Sequence, residues 1–188
     1  TSAPPRCNFF TYAEISVQTV KDYRRALDYV AEGGRVDMNR IGLVGYSMGG
    51  AIVANFLYKS PLAERVKGAI LDAPMINFNA TIDLGARQKG YPGLVTTIAK
   101  AVSSVRFKVD WKALNYLKHA DELNVPILLF HGDADDTVPV ETSDALAKAR
   151  PDLVRYVRVA GATHVRSWNM GPAAYQVVVH DFLRELVR

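Results

Sequence analysis

The residues Gly45-Tyr46-Ser47-Met48-Gly49 constrain this chain more than any other stretch. They fit the pattern G-x-S-x-G, in which a strand turns sharply into a helix and lifts a serine hydroxyl clear of a sheet's carboxyl edge. Small residues two before and two after the serine are steric requirements of that turn. The pattern alone is weak: from average glycine and serine usage of about 7% each, roughly one chain in fifteen of this length carries it by accident. Its setting is much rarer. Ile41-Gly42-Leu43-Val44 directly before it is the short apolar run of a buried strand. Ala51 to Tyr58 directly after it is apolar on most faces, as in a buried helix. The start of that helix aims the Met48 amide at an oxyanion forming on the serine's target, helped by the helix dipole.

Helical and strand patterns alternate along the rest of the chain. From Glu14 to Glu32, the residues Val20, Tyr23, Leu27, Val30 and Ala31 keep helical spacing, and Gly33-Gly34 ends the run. Val66 to Leu71, Ile127 to Phe130 and Val154 to Val159 read as strands. Val140 to Ala149 and Pro172 to Val187 read as helices, and residues 1–13, with Pro4 and Pro5, as irregular. Residues 75 to about 124 hold no core strand. Short helices are predicted there around Leu94–Val102 and after Asp110, where Trp111, Leu114 and Leu117 stand three apart. Strands alternating with helices imply parallel pairing and right-handed crossovers. The expected fold class is therefore α/β: a mostly parallel sheet flanked by helices. With 188 residues, one domain over 1–188 is expected.

A serine hydroxyl attacks only if a base takes its proton, and the base needs a carboxylate to orient it. Two loops beyond strand carboxyl ends supply candidates, at the edge where open α/β sheets place their sites. One is His131-Gly132-Asp133-Ala134-Asp135-Asp136-Thr137-Val138-Pro139; the other is Ala160-Gly161-Ala162-Thr163-His164. Asp133, Asp135 and Asp136 compete within one loop, and Asp72 ends a strand at the same edge. Asp133 suits bonding of loop amides, and Asp136 suits solvation. His131 reads as a structural residue at a strand end. A metal site there is disfavoured, because the loop lacks calcium-loop spacing and no second histidine is near. His119 and His180 lie on helical patterns and read as surface or packing residues. Tyr46 and Met48 flank the serine and are expected to touch the floor or wall of a substrate pocket. Trp111, Trp168, Phe78, Met75 and Tyr91 are open between pocket lining and ordinary core.

From about residue 14 to the end, the chain resembles the α/β-hydrolase superfamily. The turn at 45–50, the H-G-x-x-D-x-x-V-P stretch at 131–139 and the G-x-x-H at 161–164 carry the likeness. It is nearest to serine esterase and lipase-like members and to the catalytic domains of acylaminoacyl and dipeptidyl peptidases. The resemblance implies Ser47 as nucleophile, Asp135 as orienting acid and His164 as general base. It implies a helical cap at residues 75–124 and hydrolysis of a small-molecule carboxylic ester, with no metal or organic cofactor. Two alternatives stay open: a peptidase or amidase of the same fold, and a truncated, inactive hydrolase-like binding or assembly module.

The likeness departs at the front. Members usually carry about four strands before the nucleophile strand, whereas 46 residues precede Ser47 here. An N-terminally incomplete fold is therefore expected, with a free edge on the Ile41–Val44 strand. No H-G-G-type loop supplies a second oxyanion donor, which leaves the Met48 amide. The edge would be covered by a missing N-terminal segment of a longer hydrolase, by another chain in a homo-oligomer, or by residues 1–13.

Composition excludes several other classes. The chain is 49% hydrophobic and 22% charged, the balance of an ordinary globular domain. Its 23 basic and 19 acidic residues are scattered, without aromatics interleaved among basic runs, so nucleic acid is not an expected partner. The single cysteine, Cys7, cannot form an internal disulfide or a cysteine-built zinc site. No apolar stretch long enough to span a membrane and no signal peptide is visible, so a cytoplasmic location is the default expectation.

Overall fold

The computed structural model describes residues 12–34 and 37–187, with side chains of the first helix described at Lys21, Asp22 and from Arg24 on. The expectation that residues 1–13 cover a strand edge falls mainly outside the described residues. Tyr12 and Ala13, expected to be irregular, already belong to α1 (Tyr12–Glu32). The elements that follow are β1 (Ile41–Tyr46), α2 (Met48–Lys59), β2 (Val66–Asp72), α3 (Phe78–Gln88), α4 (Gly93–Phe107), β3 (Ile127–Gly132), α5 (Val140–Ala149), β4 (Val154–Val159), α6 (Ser167–Met170) and α7 (Pro172–Leu186). The four strands form one parallel sheet in the order β1-β2-β3-β4. Among the described residues no helix is long and apolar enough to cross a membrane.

The pleat sends alternate residues to two apolar layers. Leu43, Ala69, Leu71, Ile127 and Leu129 face α2 and α5, meeting Val53, Phe56 and Leu146. Ile70, Leu128 and Phe130 face α7, meeting Phe182. Covered on both sides, β2 and β3 are apolar and buried almost throughout. Gly68 lets α7 lie close, since a Cβ there would come within 2.6 Å of Leu186 Cδ1.

β1 departs from the expected buried strand. Its residues alternate between buried and exposed, with Gly42, Val44 and Tyr46 open to solvent. Among the described strands it pairs with β2 alone, and α7 leans over β2 and β3 rather than over it. Among the described residues, no strand pairs with the other edge of β1 and its second face is open.

The insertion between β2 and β3 is helical, as expected, but differently built. α4 extends beyond the predicted Leu94–Val102. α3 was not predicted; the Asn77 side chain caps it, accepting from the Ala80 amide at 3.3 Å. The helix expected after Asp110 is a turn followed by a 3-10 segment at Tyr116–Glu122. Spacing of three residues matches its three residues per turn. The two ends of the insertion are stitched together: Phe78 N donates to Leu114 O at 3.2 Å and Tyr116 N to Ile76 O at 2.9 Å. Ile76, Phe78, Leu114 and Tyr116 are buried in the main core. Leu94, Ile98, Val102 and Val105 of α4 are exposed.

Candidate active site

The turn after β1 holds Ser47 at φ 51° and ψ −119°, a conformation L-residues rarely adopt. Backbone bonds enforce it. Ser47 N donates to Asp72 O at 3.0 Å, and Ser47 O accepts from Met75 N at 2.9 Å and Gly50 N at 3.1 Å. Gly45 and Gly50 are steric necessities, since a Cβ on Gly45 would stand 2.7 Å from Gly49 O and one on Gly50 would stand 2.5 Å from Pro74 Cβ; Gly49, two after the serine and expected to be a steric requirement, has open space where a Cβ would stand. Met48 opens α2, so its amide has no carbonyl one turn back to bond. Its side chain and that of Tyr46 are half exposed. Tyr46 borders a groove of about 400 Å³ between β1 and α7, shared with Tyr175, Val179 and Leu183.

Among the described residues, three of the four non-glycine residues with positive φ border this edge: Ser47, Ala73 after β2, and Val165 next to His164. Strain of this kind persists only where surrounding structure over-determines the backbone. Parallel pairing of β1 to β4 brings the strand-end loops together at this edge. His164 Nε2 lies 2.8 Å from Ser47 Oγ, and His164 Nδ1 lies 2.8 Å from Asp135 Oδ2. Ser47 and His164 are 117 residues apart in sequence. A hydroxyl, an imidazole and a carboxylate in one line can move a proton from the first to the second while the third holds the ring.

The Asp135 side chain is fully buried. Burial alone would raise its pKa. Hydrogen bonds from His131, His164, Val138 N and Thr137 N outweigh that and hold it down to about 2. The amides of Thr137 and Val138 donate to Oδ1 at 2.8 and 2.9 Å. The neighbouring acids have other tasks. Asp133 Oδ1 accepts from the Gly161 amide at 2.7 Å, tying the histidine's loop to the acid's loop. Asp136 is exposed, and its backbone carbonyl accepts from Gln88 Nε2.

Asp72, the other candidate acid, is buried and accepts from Ser167 Oγ at 2.7 Å rather than from His164. Burial raises its pKa, against the lowering effects of Ser167 and the two nearby histidines. Asp72→Asn is therefore expected to keep kcat within about threefold, since the amide oxygen can still accept from Ser167. A steady-state assay checks this, and a loss as large as that of Asp135→Asn would make Asp72 the orienting group.

Two partners were not foreseen. Ser143, on α5, lies 2.7 Å from His131 Nδ1, and Ser167 holds Asp72. No local sequence signal marks either, because each contact crosses between elements. His119 stacks on Tyr58 and lies 2.6 Å from Glu122, as a packing residue. His180 lies on α7 beside an apolar groove. Phe78 is core, and Trp111 braces α4 by donating to Lys100 O and Ser103 Oγ. Among the described residues no group of three or more histidine, cysteine or acidic side chains is arranged to hold a metal.

A parallel sheet with helices on both faces and a strained serine at the strand-to-helix turn defines the α/β-hydrolase class. The solved structures agree on that fold. The esterase of Pyrococcus furiosus superposes over 89% of this chain and 61% of its own, with a TM-score of 0.64 at 21% identity. The acylaminoacyl peptidase of Pyrococcus horikoshii superposes over 89% of this chain and 28% of its own, with a TM-score of 0.68 at 20% identity. A model of the prolyl oligopeptidase family matches residues 11–185, and the chain belongs to that family. Acylamino-acid-releasing enzyme 2 of Oryza sativa subsp. japonica is 27% identical over 151 residues, 78% of this chain and 19% of that protein. The chain spans less than two thirds of each of these relatives.

Proposed function

We propose that this chain is a serine hydrolase that cleaves small-molecule carboxylic esters through an acyl-enzyme. The observation that carries the reading is the hydrogen-bonded line from Ser47 Oγ through His164 to Asp135, with 2.8 Å at each step. In this reading Ser47 Oγ attacks the acyl carbonyl while His164 Nε2 takes its proton. Asp135 fixes the tautomer with the proton on Nδ1 and stabilises the imidazolium. The Met48 amide donates to the oxyanion. His164 then protonates the leaving alkoxide. Water, deprotonated by His164, attacks the acyl group and releases acid and free Ser47. Tyr46, at the same turn, contacts the substrate, and residues 75–124 close over it as a cap. No cofactor is needed for these steps.

A second reading, cleavage of peptide amides, is favoured by the family matched and by the printed name of the rice relative. Rates on p-nitrophenyl esters and aminoacyl anilides separate the two. With each rate divided by the uncatalysed rate of the same substrate, which removes the ester's greater intrinsic reactivity, an enhancement larger on esters by about 10²-fold or more supports the first reading, and the reverse ratio supports the second. Ser47→Ala is expected to remove nearly all of whichever activity is found, leaving at most the ~10³–10⁴-fold enhancement over water that the oxyanion donor and binding supply. A folded chain with neither activity would favour the binding or assembly module.

The edge of β1 that no described strand pairs with is proposed to pair with a further segment or a second copy of the chain.

A further inference from the structure

β3 ends in His131 and Gly132, and the strand's alternation turns the His131 side chain towards α5. The residue is fully buried. A buried imidazole is costly unless both nitrogens are bonded, and here both are. Nε2 lies 3.2 Å from Val138 O and 3.2 Å from Asp135 Oδ2, and Nδ1 lies 2.7 Å from Ser143 Oγ. A carbonyl can only accept, so Nε2 carries a proton whether the ring is neutral or charged. In the neutral ring Nδ1 accepts from the Ser143 hydroxyl, which fixes the direction in which Nε2 donates.

Asp135 Oδ2 therefore faces two ring N–H groups: His164 Nδ1, hydrogen-bonded at 2.8 Å, and His131 Nε2, in a longer contact at 3.2 Å beside its bond to Val138 O. The amides of Thr137 and Val138 hold Oδ1 only. A carboxylate gripped by one oxygen can still swing about its last torsion, which is broad and weakly restrained. A second grip on Oδ2 fixes the plane. We propose that His131, braced by Ser143, is a positioning residue that fixes the Asp135 carboxylate plane and, through it, the His164 ring. This rests on the reading of Ser47, His164 and Asp135 given above. His131 bonds neither Ser47 nor His164, so it acts only through the acid. The same contact contributes to holding Asp135 ionised.

The test compares His131→Leu, His131→Gln and Ser143→Ala with the wild type, each with active sites counted by a fluorophosphonate on Ser47. His131→Leu removes the donor at similar volume. Its kcat per titrated site is expected to fall about 10- to 100-fold with KM within about twofold, the scale of one hydrogen bond to a charged group. The glutamine amide stands near the Nε2 position and is expected to restore kcat to within about threefold of wild type. Ser143→Ala keeps the donor but frees the ring, and kcat is expected to fall about three- to tenfold at unchanged KM. A purely structural role would lower melting temperature without moving kcat per titrated site. Wild-type kcat per site in His131→Leu overturns the inference. If that variant does not fold, Ser143→Ala decides: reduced kcat upholds the inference, and wild-type kcat overturns it. A wild type that takes no label on Ser47 overturns the underlying reading, and this inference with it.

Discussion

Asp135→Asn is expected to lower kcat by about 10⁴-fold with little change in KM. The amide oxygen of the new side chain is drawn to the Thr137 and Val138 amides, which donate where Oδ1 now lies. Its NH₂ then replaces Oδ2 and faces His164 Nδ1 and His131 Nε2. His164 must accept at Nδ1, so its proton sits on Nε2, where it cannot take the Ser47 proton. His131 Nε2 meets a donor instead of an acceptor, a buried conflict that also destabilises the fold. The wild-type carboxyl, held down to about 2 against an ordinary 3.8, adds stability above about pH 4 that is lost as pH falls towards 2. Its contribution is about 2 kcal/mol. Acid unfolding of Asp135→Asn is expected to be flatter across that window. Steady-state kinetics and denaturation between pH 2 and 7 (a buffer range covering ~5 units around the linkage window) check both halves.

Gly132→Ala is expected to be the most damaging single methyl in the chain. A Cβ there would stand 2.0 Å from Ala162 O and 2.6 Å from its carbonyl carbon. That carbonyl already accepts from Ala134 N at 3.1 Å, so the acid's loop and the histidine's loop touch backbone to backbone. Nothing flexible can yield; one loop must move. A cost of about 3 kcal/mol or more is expected, near the upper end for overpacking. This corresponds to a melting temperature lower by roughly 6–12 °C for a chain of this size. Activity is expected to fall further than stability, because a shift of about 1 Å between His164 and Ser47 can cost about 10²-fold. Thermal melts and kcat per titrated site separate the two effects.

The four strands, and the strand-end loops that carry Ser47, Asp135 and His164, are legible because their signals are local. An apolar run followed by a glycine turn or an acid-rich loop is both a strand and its carboxyl end, and parallel order then gathers those ends at one edge. Ser47, Asp135 and His164 each follow such a strand, so their convergence could be anticipated from sequence. Choosing among Asp133, Asp135 and Asp136 rested on family spacing, since only geometry shows Asp133 holding Gly161 and Asp136 exposed to solvent. α3 was missed because its mixed sequence around Gly85 has weak helical preference; the Asn77 cap and the bridge to Asn115 support it. The apolar run of β1 suggests a buried strand because such a run does not reveal whether a helix covers its second face. The bond between His131 and Ser143 left no pattern at all, joining a strand to a helix twelve residues on.

The most direct test of the central claim is to mix the purified chain with a fluorophosphonate probe and locate the adduct by peptide mass spectrometry. A single phosphonyl group on Ser47, lost in Ser47→Ala and slowed strongly in His164→Ala, is the expected result. No adduct on Ser47 in protein that melts cooperatively, or labelling that His164→Ala leaves unchanged, would contradict it.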